Sequence, residues 1–374
     1  MSAKTIRVGL IGSGFMGRSH ALAFRMAPAV FDLPAGIELA MLADVDEPTA
    51  AAAAKTLCFE RSTGDWRQLV NDPNIDLVAI TTPNKWHKPM ALAAIDAGKA
   101  VYCEKPLAPN ASDAKAMADA AQAKGALTFV GFNYLKNPLV CLARDLVQSG
   151  EIGEVWSFRG WHAEDYMRDA AEPWSWRLDP AGGAGVVADL GSHIIAMAHF
   201  LVGPIETLSA DIHTVIKERP VAAGSIATKP VEVDDMARAL LRFANGASGM
   251  IEASWVASGR KLNLAFELTG SLGTIIIDME RMNEIRLYRA GADGREDGFK
   301  TILANADHAD YAPFCPAPGH QLGFNDIKAI EVKHIIDAMM GGPSFQPDFA
   351  QAYAVQKVVD GMLTSAREQR WVHL

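Results

Sequence analysis

Cysteine is scarce: Cys58, Cys103, Cys141 and Cys315 are the four in 374 residues, and no two form a Cys-x-x-Cys pair. A disulfide framework and a thiolate zinc site are therefore not the basis of the fold, and a reducing compartment is expected. Clustered positive charge is missing too. With 35 Lys and Arg against 44 Asp and Glu, the formal net charge is −9, and no basic run occurs, so neither a nucleic-acid surface nor an anionic-membrane surface is expected. No His-x-x-x-His pair or other ligand-spaced set appears, and no metal is expected. No apolar run reads as long enough to cross a bilayer, and the first strand begins within a few residues of Met1, which leaves no room for a secretory leader. The expectation is a cytoplasmic protein. Repeats and low-complexity tracts are absent as well.

What is present describes an ordinary globular chain, 49% hydrophobic and 21% charged, too long for one comfortable core and so expected to form two domains. Its opening stretch is its most informative. Ile6-Arg7-Val8-Gly9-Leu10-Ile11 reads as a buried strand that turns through Gly12-Ser13-Gly14-Phe15-Met16-Gly17 into a helix around Ala21-Leu22-Ala23-Phe24. The first glycine permits the tight turn, the second lets a pyrophosphate approach the backbone, and the third lets helix and strand pack closely. This is dinucleotide-binding geometry. Met26 to Gly36, with two prolines, reads as an insertion before the second strand, Ile37 to Ala43. Asp44 ends that strand, where a carboxylate accepts from the adenosine ribose hydroxyls and repels a 2′-phosphate, which favours NAD over NADP. The alternative for Asp44 is a cap on the helix containing Pro48 to Lys55.

Further strands are expected at Asp76 to Ile80, Ala100 to Cys103 and Leu127 to Val130, alternating with helices near Pro89 to Ala97 and Ser112 to Lys124. That alternation implies a doubly wound parallel sheet, a Rossmann domain over residues 1–131. Ligands bind at the carboxyl ends of such strands, where Thr82-Pro83-Asn84, His87, Glu104 and Lys105 fall beside Asp44. Residues 132–374 read differently. Strands at Val155 to Trp161, Val233 to Ala257 around an Asn245-Gly246 hairpin, Leu262 to Thr269 and Gly273 to Asp278 imply a mostly antiparallel open-faced sheet. Helices are expected at Val186 to Val202, Asn325 to Met340 and Phe349 to Arg367, and Lys217 to Lys229 reads as an exposed loop. The fold class is α/β with a C-terminal α+β domain.

Two places carry candidate chemistry. Lys105, followed by a proline that fixes the backbone, can polarise a substrate oxygen; a solvated surface lysine is the alternative. Asp189 and His193 stand four apart on an apolar helix and so share a face, where a histidine can accept a hydroxyl proton; a purely structural pair is the alternative.

In their order and spacing the glycine turn, Thr82-Pro83-Asn84-Lys85-Trp86-His87, Glu104-Lys105-Pro106 and Asp189-Leu190-Gly191-Ser192-His193 resemble the Gfo/Idh/MocA oxidoreductases. The resemblance implies hydride transfer between a substrate carbon and nicotinamide. It implies His193 as general base, Asp189 as its orienting partner and Lys105 on the reacting oxygen. It also implies a homo-oligomer, a dimer or tetramer, built through the C-terminal sheet. The chain departs from the family at Gly183-Ala184-Gly185, where three glycines are common, and at Ala196, where an acidic residue is common. The stretches Trp161 to Tyr166 and Pro173 to Arg177 look like those of branches acting on cyclic polyols and sugars, since aromatic faces and charged groups suit a ring with a rim of hydroxyls. Trp176, Arg177, His193 and His320 are the candidate substrate contacts. The expected function is NAD-dependent oxidation of a secondary hydroxyl of an inositol, scyllo or myo, or of an aldopyranose to its lactone. The rivals are an anhydrosugar or glycoside 3-dehydrogenase and, from another class, a non-catalytic NAD-sensing regulator.

Overall fold

The structure is a computed structural model that describes residues 4–182, 185–291, 294–295, 297–317 and 319–374. Gly183 and Ala184, where the glycine run departs from the family, lie outside the described residues. The chain divides into two compact units, 1–136 with 323–353 and 137–322 with 354–374. The expected boundary after residue 131 thus differs in one respect: 323–353 belongs to the first unit.

The first unit is built on six parallel strands, β1 (Thr5–Ile11), β2 (Gly36–Ala43), β3 (Arg61–Thr63), β4 (Leu77–Ile80), β5 (Ala100–Cys103) and β6 (Thr128–Val130). Their order is β3-β2-β1-β4-β5-β6. All neighbours pair in parallel. Central strands of such a sheet are covered on both faces, which is why β4 is buried at every residue. The strand order reverses beside β1, so the glycine turn lies at the switch point where these sheets bind ligands. Helices α1 (Phe15–Val30), α2 (Glu47–Leu57), α3 (Trp66–Asn71), α4 (His87–Asp96) and α5 (Ala111–Lys124) cover the sheet. The helix α1 runs on through Pro28, into the stretch read as an insertion, and Ala27 beside it is fully buried.

Helix α6 (Pro138–Gln148) opens the second unit, and helix α7 is Ser192–Leu201. Helix α8 (Phe324–Met339) returns to the first unit for a physical reason: it brings two charged residues into the first unit's core. Lys328 Nζ donates to Glu104 Oε1 and to Glu331 Oε2, both at 2.9 Å, and to the Tyr102 hydroxyl at 3.0 Å. His20 Nε2 lies 2.7 Å from Glu104 Oε1, and the Tyr102 hydroxyl also donates to Glu331. All five residues are at most 4% exposed. Burial alone would lower the Lys328 ammonium, but the Glu104 and Glu331 carboxylates overcome it and raise it. Burial alone would raise Glu104, but Lys328 and His20 hold its carboxyl well below the usual range. Burial lowers His20.

In the second unit nine strands form one sheet. They are β7 (Val155–Ala163), β8 (Ile205–His213), β11 (Met236–Phe243), β12 (Ser248–Ser254), β13 (Asn263–Gly270), β14 (Gly273–Asp278), β15 (Glu284–Arg289), β16 (Lys300–Leu303) and β17 (Val372–His373). Two short strands, β9 (Glu218–Pro220) and β10 (Thr228–Pro230), pair separately as a hairpin. The large sheet is antiparallel except where β12 runs parallel to β7. Strict alternation along β11 turns Ala237, Ala239, Leu241 and Phe243 inward and Arg238, Leu240 and Arg242 outward. The Asn245-Gly246 turn joins β11 to β12 as expected, with Gly246 at φ +90°. The segment Lys217 to Lys229, expected as exposed loop, instead carries the hairpin and a fully buried Arg219.

Leading into α7, residues Val187–Gly191 form a wider π-helical turn, a feature common at functional sites. Its N-terminus is held by Asp234, whose Oδ2 accepts from the Val187 N–H at 2.8 Å and whose backbone oxygen accepts from the Val186 N–H at 2.9 Å. Gly185 precedes it at φ +109°, and a Cβ there would lie 2.3 Å from the Asp234 carboxylate. The apolar stretch that ends in α7 passes for a membrane span by length and composition alone, but 82% of its most hydrophobic window is buried, as in a core helix.

Two predictions follow from these buried charges. Lys328→Met leaves two carboxylates uncompensated, and the first unit's denaturation midpoint should fall by the equivalent of about 3–5 kcal/mol; a loss under about 1 kcal/mol contradicts the network. Burial pushes Asp234 from 3.8 up to about 6 against the pull of the Val187 N–H. A raised carboxyl stabilises the fold below its unfolded value and loses that contribution as pH rises through the folded one. Between pH 4 and 6, Asp234→Asn should therefore gain on the wild type by up to about 3 kcal/mol in denaturant unfolding. A difference independent of pH would refute this.

Candidate active site

The glycine turn in the first unit fits a dinucleotide on three counts. Gly12 adopts φ +95°, and a Cβ on Gly17 would lie 2.1 Å from the Gly12 oxygen, so both positions require glycine. A Cβ on Gly14 would meet nothing within 4 Å, which leaves open space above the turn for a pyrophosphate. No side chain caps α1 and no acidic residue lies in its first turn, so its N–H groups and dipole are available to an anion. Thr81 braces the turn, its hydroxyl donating to the Ile11 and Gly12 oxygens at 3.0 and 2.8 Å. Phe15 is 73% exposed beside the turn, stacked at 6.1 Å on Phe324, and Met16 next to it is half-buried.

Asp44 reaches back to the same turn. Its Oδ2 accepts from the Ser13 N–H at 2.8 Å and from the Ser13 hydroxyl at 2.5 Å, and its Oδ1 accepts from the Val45 N–H at 2.7 Å. The cap of α2 is Asp46, which accepts from the Thr49 N–H, so capping is not the task of Asp44. A cleft of about 490 Å³ beside them is lined by Ser13, Arg18, Pro48, Thr49 and Thr56 among others, a size suited to part of a cofactor.

The other expected cofactor residues divide into edge and scaffold. Thr82 and Pro83 are half-buried at the end of β4, and Asn84 behind them is 6% exposed. His87 is 1% exposed, its two ring nitrogens 3.0 Å from the Pro106 oxygen and 2.8 Å from the Thr82 oxygen. Burial lowers it, against the pull of the Thr82 and Pro106 carbonyls toward the charged ring. It therefore ties the loop after β4 to the Lys105-Pro106 loop rather than facing solvent. Glu104 is likewise enclosed. Its second oxygen accepts from the Lys105 N–H at 3.1 Å, so the carboxylate held by Lys328 and His20 also fixes the peptide that carries Lys105. Gly131 leaves it room, since a Cβ there would lie 2.6 Å from Glu104 Oε1.

The proton-transfer candidates lie in the second unit. His193 is 7% exposed on α7, its ring 5.4 Å from that of His162 in an edge-to-face arrangement. His162 in turn has Nδ1 3.0 Å from the Leu190 oxygen and Nε2 3.0 Å from Glu164 Oε1. Asp189 Oδ2 accepts from the Tyr166 hydroxyl at 2.7 Å and from Arg177 Nε at 3.4 Å. Burial of the hydroxyl, then the Asp189 charge, raises Tyr166 well above its ordinary value, so it remains a donor. Arg177 also stacks on Trp176 at 4.6 Å, and Trp176 is 38% exposed. The structure thus groups Asp189, Arg177 and Trp176 with Tyr166, which lies in the stretch Trp161 to Tyr166, and adds Asp234, whose role no motif marks. His320 is exposed on the segment 304–323, with Nδ1 3.3 Å from the Ala317 oxygen, and no hydrogen bond joins it to the Asp189 cluster among the described residues.

Comparison with known proteins gives one answer. The model of the oxidoreductase family's NAD-binding Rossmann fold matches residues 6–132, and that of the GFO/IDH/MocA C-terminal domain matches residues 140–276. Levoglucosan dehydrogenase of Pseudarthrobacter phenanthrenivorans is 37% identical over 382 residues, 99% of this chain and 98% of its own. Myo-inositol 2-dehydrogenase of Thermotoga maritima is 28% identical over 283 residues, 75% of this chain and 78% of its own. A solved levoglucosan dehydrogenase in complex with NADH and levoglucosan matches at a TM-score of 0.96 and 38% identity, with 99% of each chain covered. With both of its family models matched in order and a relative aligned from end to end, the chain belongs to the GFO/IDH/MocA oxidoreductase family.

Proposed function

We propose that this protein is an NAD-dependent dehydrogenase that oxidises a secondary hydroxyl of an anhydrosugar of the levoglucosan kind. What carries the reading is end-to-end similarity to levoglucosan dehydrogenase together with the presence of Lys105, Asp189 and His193 in their motifs. A rigid ring with apolar C–H faces and a rim of hydroxyls suits the exposed Trp176 face and the Arg177 guanidinium beside it. Myo-inositol has the same character and is the second reading, favoured by the Thermotoga maritima relative.

His193, buried beside His162, takes the proton from the reacting hydroxyl. Asp189 orients it, and Tyr166 and Arg177 keep that carboxylate from rotating away. The Lys105 ammonium, on a peptide anchored by Glu104, is the group that stabilises developing alkoxide charge. Bound on the glycine turn, NAD+ supplies the hydride acceptor. Asp44 accepts from the adenosine ribose hydroxyls and disfavours a 2′-phosphate. Trp176, Arg177 and His320 read the ring.

Copies of the chain pair through the outer face of the nine-stranded sheet, as a dimer or tetramer in the cytoplasm. The support is an apolar cross-strand pair on that face, Leu240 at 56% and Met250 at 39% exposure.

NADH formation with levoglucosan, inositols, hexoses and glycosides tests the function. Levoglucosan should give the highest kcat/KM, NAD+ should exceed NADP+ by at least about tenfold, and Asp44→Ala should narrow that gap. His193→Ala should lower kcat by about 100-fold or more. Turnover of an inositol alone moves the assignment to the second reading. A silent panel with NADH binding intact refutes both in favour of a sensor.

A further inference from the structure

A buried arginine in the second unit has no task in the chemistry above. Arg219 on β9 is 0% exposed, yet every hydrogen bond of its guanidinium found among the described residues ends on a backbone carbonyl. Nη1 donates to the oxygens of Asp169 at 2.7 Å and Glu172 at 3.4 Å, and Nη2 donates to that of Met167 at 2.5 Å. A guanidinium buried without a carboxylate is costly, so it persists where its rigid fork of donors fixes something of value. What it fixes is one short segment, since all three carbonyls lie within 167–172.

The rest of the hairpin grips the same segment. The Trp174 N–H donates to the Pro220 oxygen at 2.8 Å. Lys229, paired with Arg219 across the hairpin, sets its ammonium 3.3 Å from the Trp174 ring centroid. At its start the segment is pinned by Asp165, which accepts from Lys261 Nζ at 2.8 Å and from the Gly259 N–H at 3.0 Å. The residues this backbone presents are Tyr166, Trp176 and Arg177. The first and last hold Asp189, and Trp176 lies under the Arg177 guanidinium.

We propose that the hairpin Glu218–Pro230 is the specificity-determining element of this enzyme. Arg219 and Lys229 are positioning residues that set the course of 166–177, and so decide which ring fits against Trp176 and Arg177. The inference rests on the assignment of those two residues to the sugar. It locates specificity outside the residues that touch substrate. A ring of different hydroxyl pattern would be accommodated by changing the hairpin while Lys105, Asp189 and His193 stay as they are.

Lys229→Met removes the exposed cation over Trp174 without opening the core and is the decisive variant. KM for the best sugar should rise about fivefold, and the kcat/KM ratio between the two best sugars should shift, while the NADH Kd stays within about twofold. Lys229→Arg, which keeps a cation able to stack, should restore both to within about twofold of wild type. Arg219→Met should raise KM further; if it fails to fold, the Lys229 pair decides. Wild-type KM and sugar ratio in Lys229→Met, or a loss confined to kcat, overturns the proposal. Wild-type enzyme silent on every sugar overturns the reading of the site and this proposal with it.

Discussion

Glu104 is the constraint on which the proposed catalytic lysine, Lys105, depends. Its carboxylate is closed off from water and divides its acceptor capacity between the interior and the surface: one oxygen faces Lys328 and His20, the other receives the Lys105 N–H. A carboxylate in such a place is tolerable only because the Lys328 charge lies 2.9 Å away. The chain of dependence therefore runs from helix α8, through a buried ion pair, to the peptide that carries Lys105. Tyr102 and Glu331 complete the arrangement by engaging Lys328 from its other sides. This also explains why 323–353 joins the first unit: without α8 the core of the dinucleotide fold would contain an unpaired charge.

The second unit solves a comparable problem with a different device. Its candidate base sits on an apolar helix, where polar side chains need fixed partners. The π-helical turn at Val187–Gly191 is held at its start by Asp234 and at Leu190 by His162, and Asp189 points to Tyr166 and Arg177. Each unit thus surrounds one reactive side chain with neighbours that do no chemistry themselves. Such support converts a reactive group into an oriented one.

Much of this was legible in the sequence, and the limits are physical. Strands and helices with strong periodicity are where their patterns place them, because period and burial are local properties. The glycine turn announces itself because its backbone demands glycine at Gly12 and Gly17, whereas Asp44, Lys105, Asp189 and His193 stand out by their place at a strand end or in a motif. The three-residue β3 and the hairpin at 218–230 carry too little pattern to announce themselves. Nor could the sequence reveal the partners of Glu104, since Lys328 lies 224 positions away and His20 lies 84 away. Lys328 and Glu331 look like ordinary surface residues of an amphipathic helix, and only the fold makes them core. His87 and Glu104 were legible as important but not as buried. Arg219 reads as one more charge in a polar loop until three carbonyls are seen to converge on it.

Whether Glu104 positions Lys105 is measured most directly by kcat for sugar oxidation in Glu104→Gln, with NADH affinity measured on the same preparation. Gln keeps the shape but weakens the acceptor that holds the Lys105 peptide and leaves the Lys328 charge half-matched. kcat should fall at least about tenfold, with the NADH Kd changed less than about twofold. A wild-type kcat in a folded Glu104→Gln enzyme would contradict that positioning.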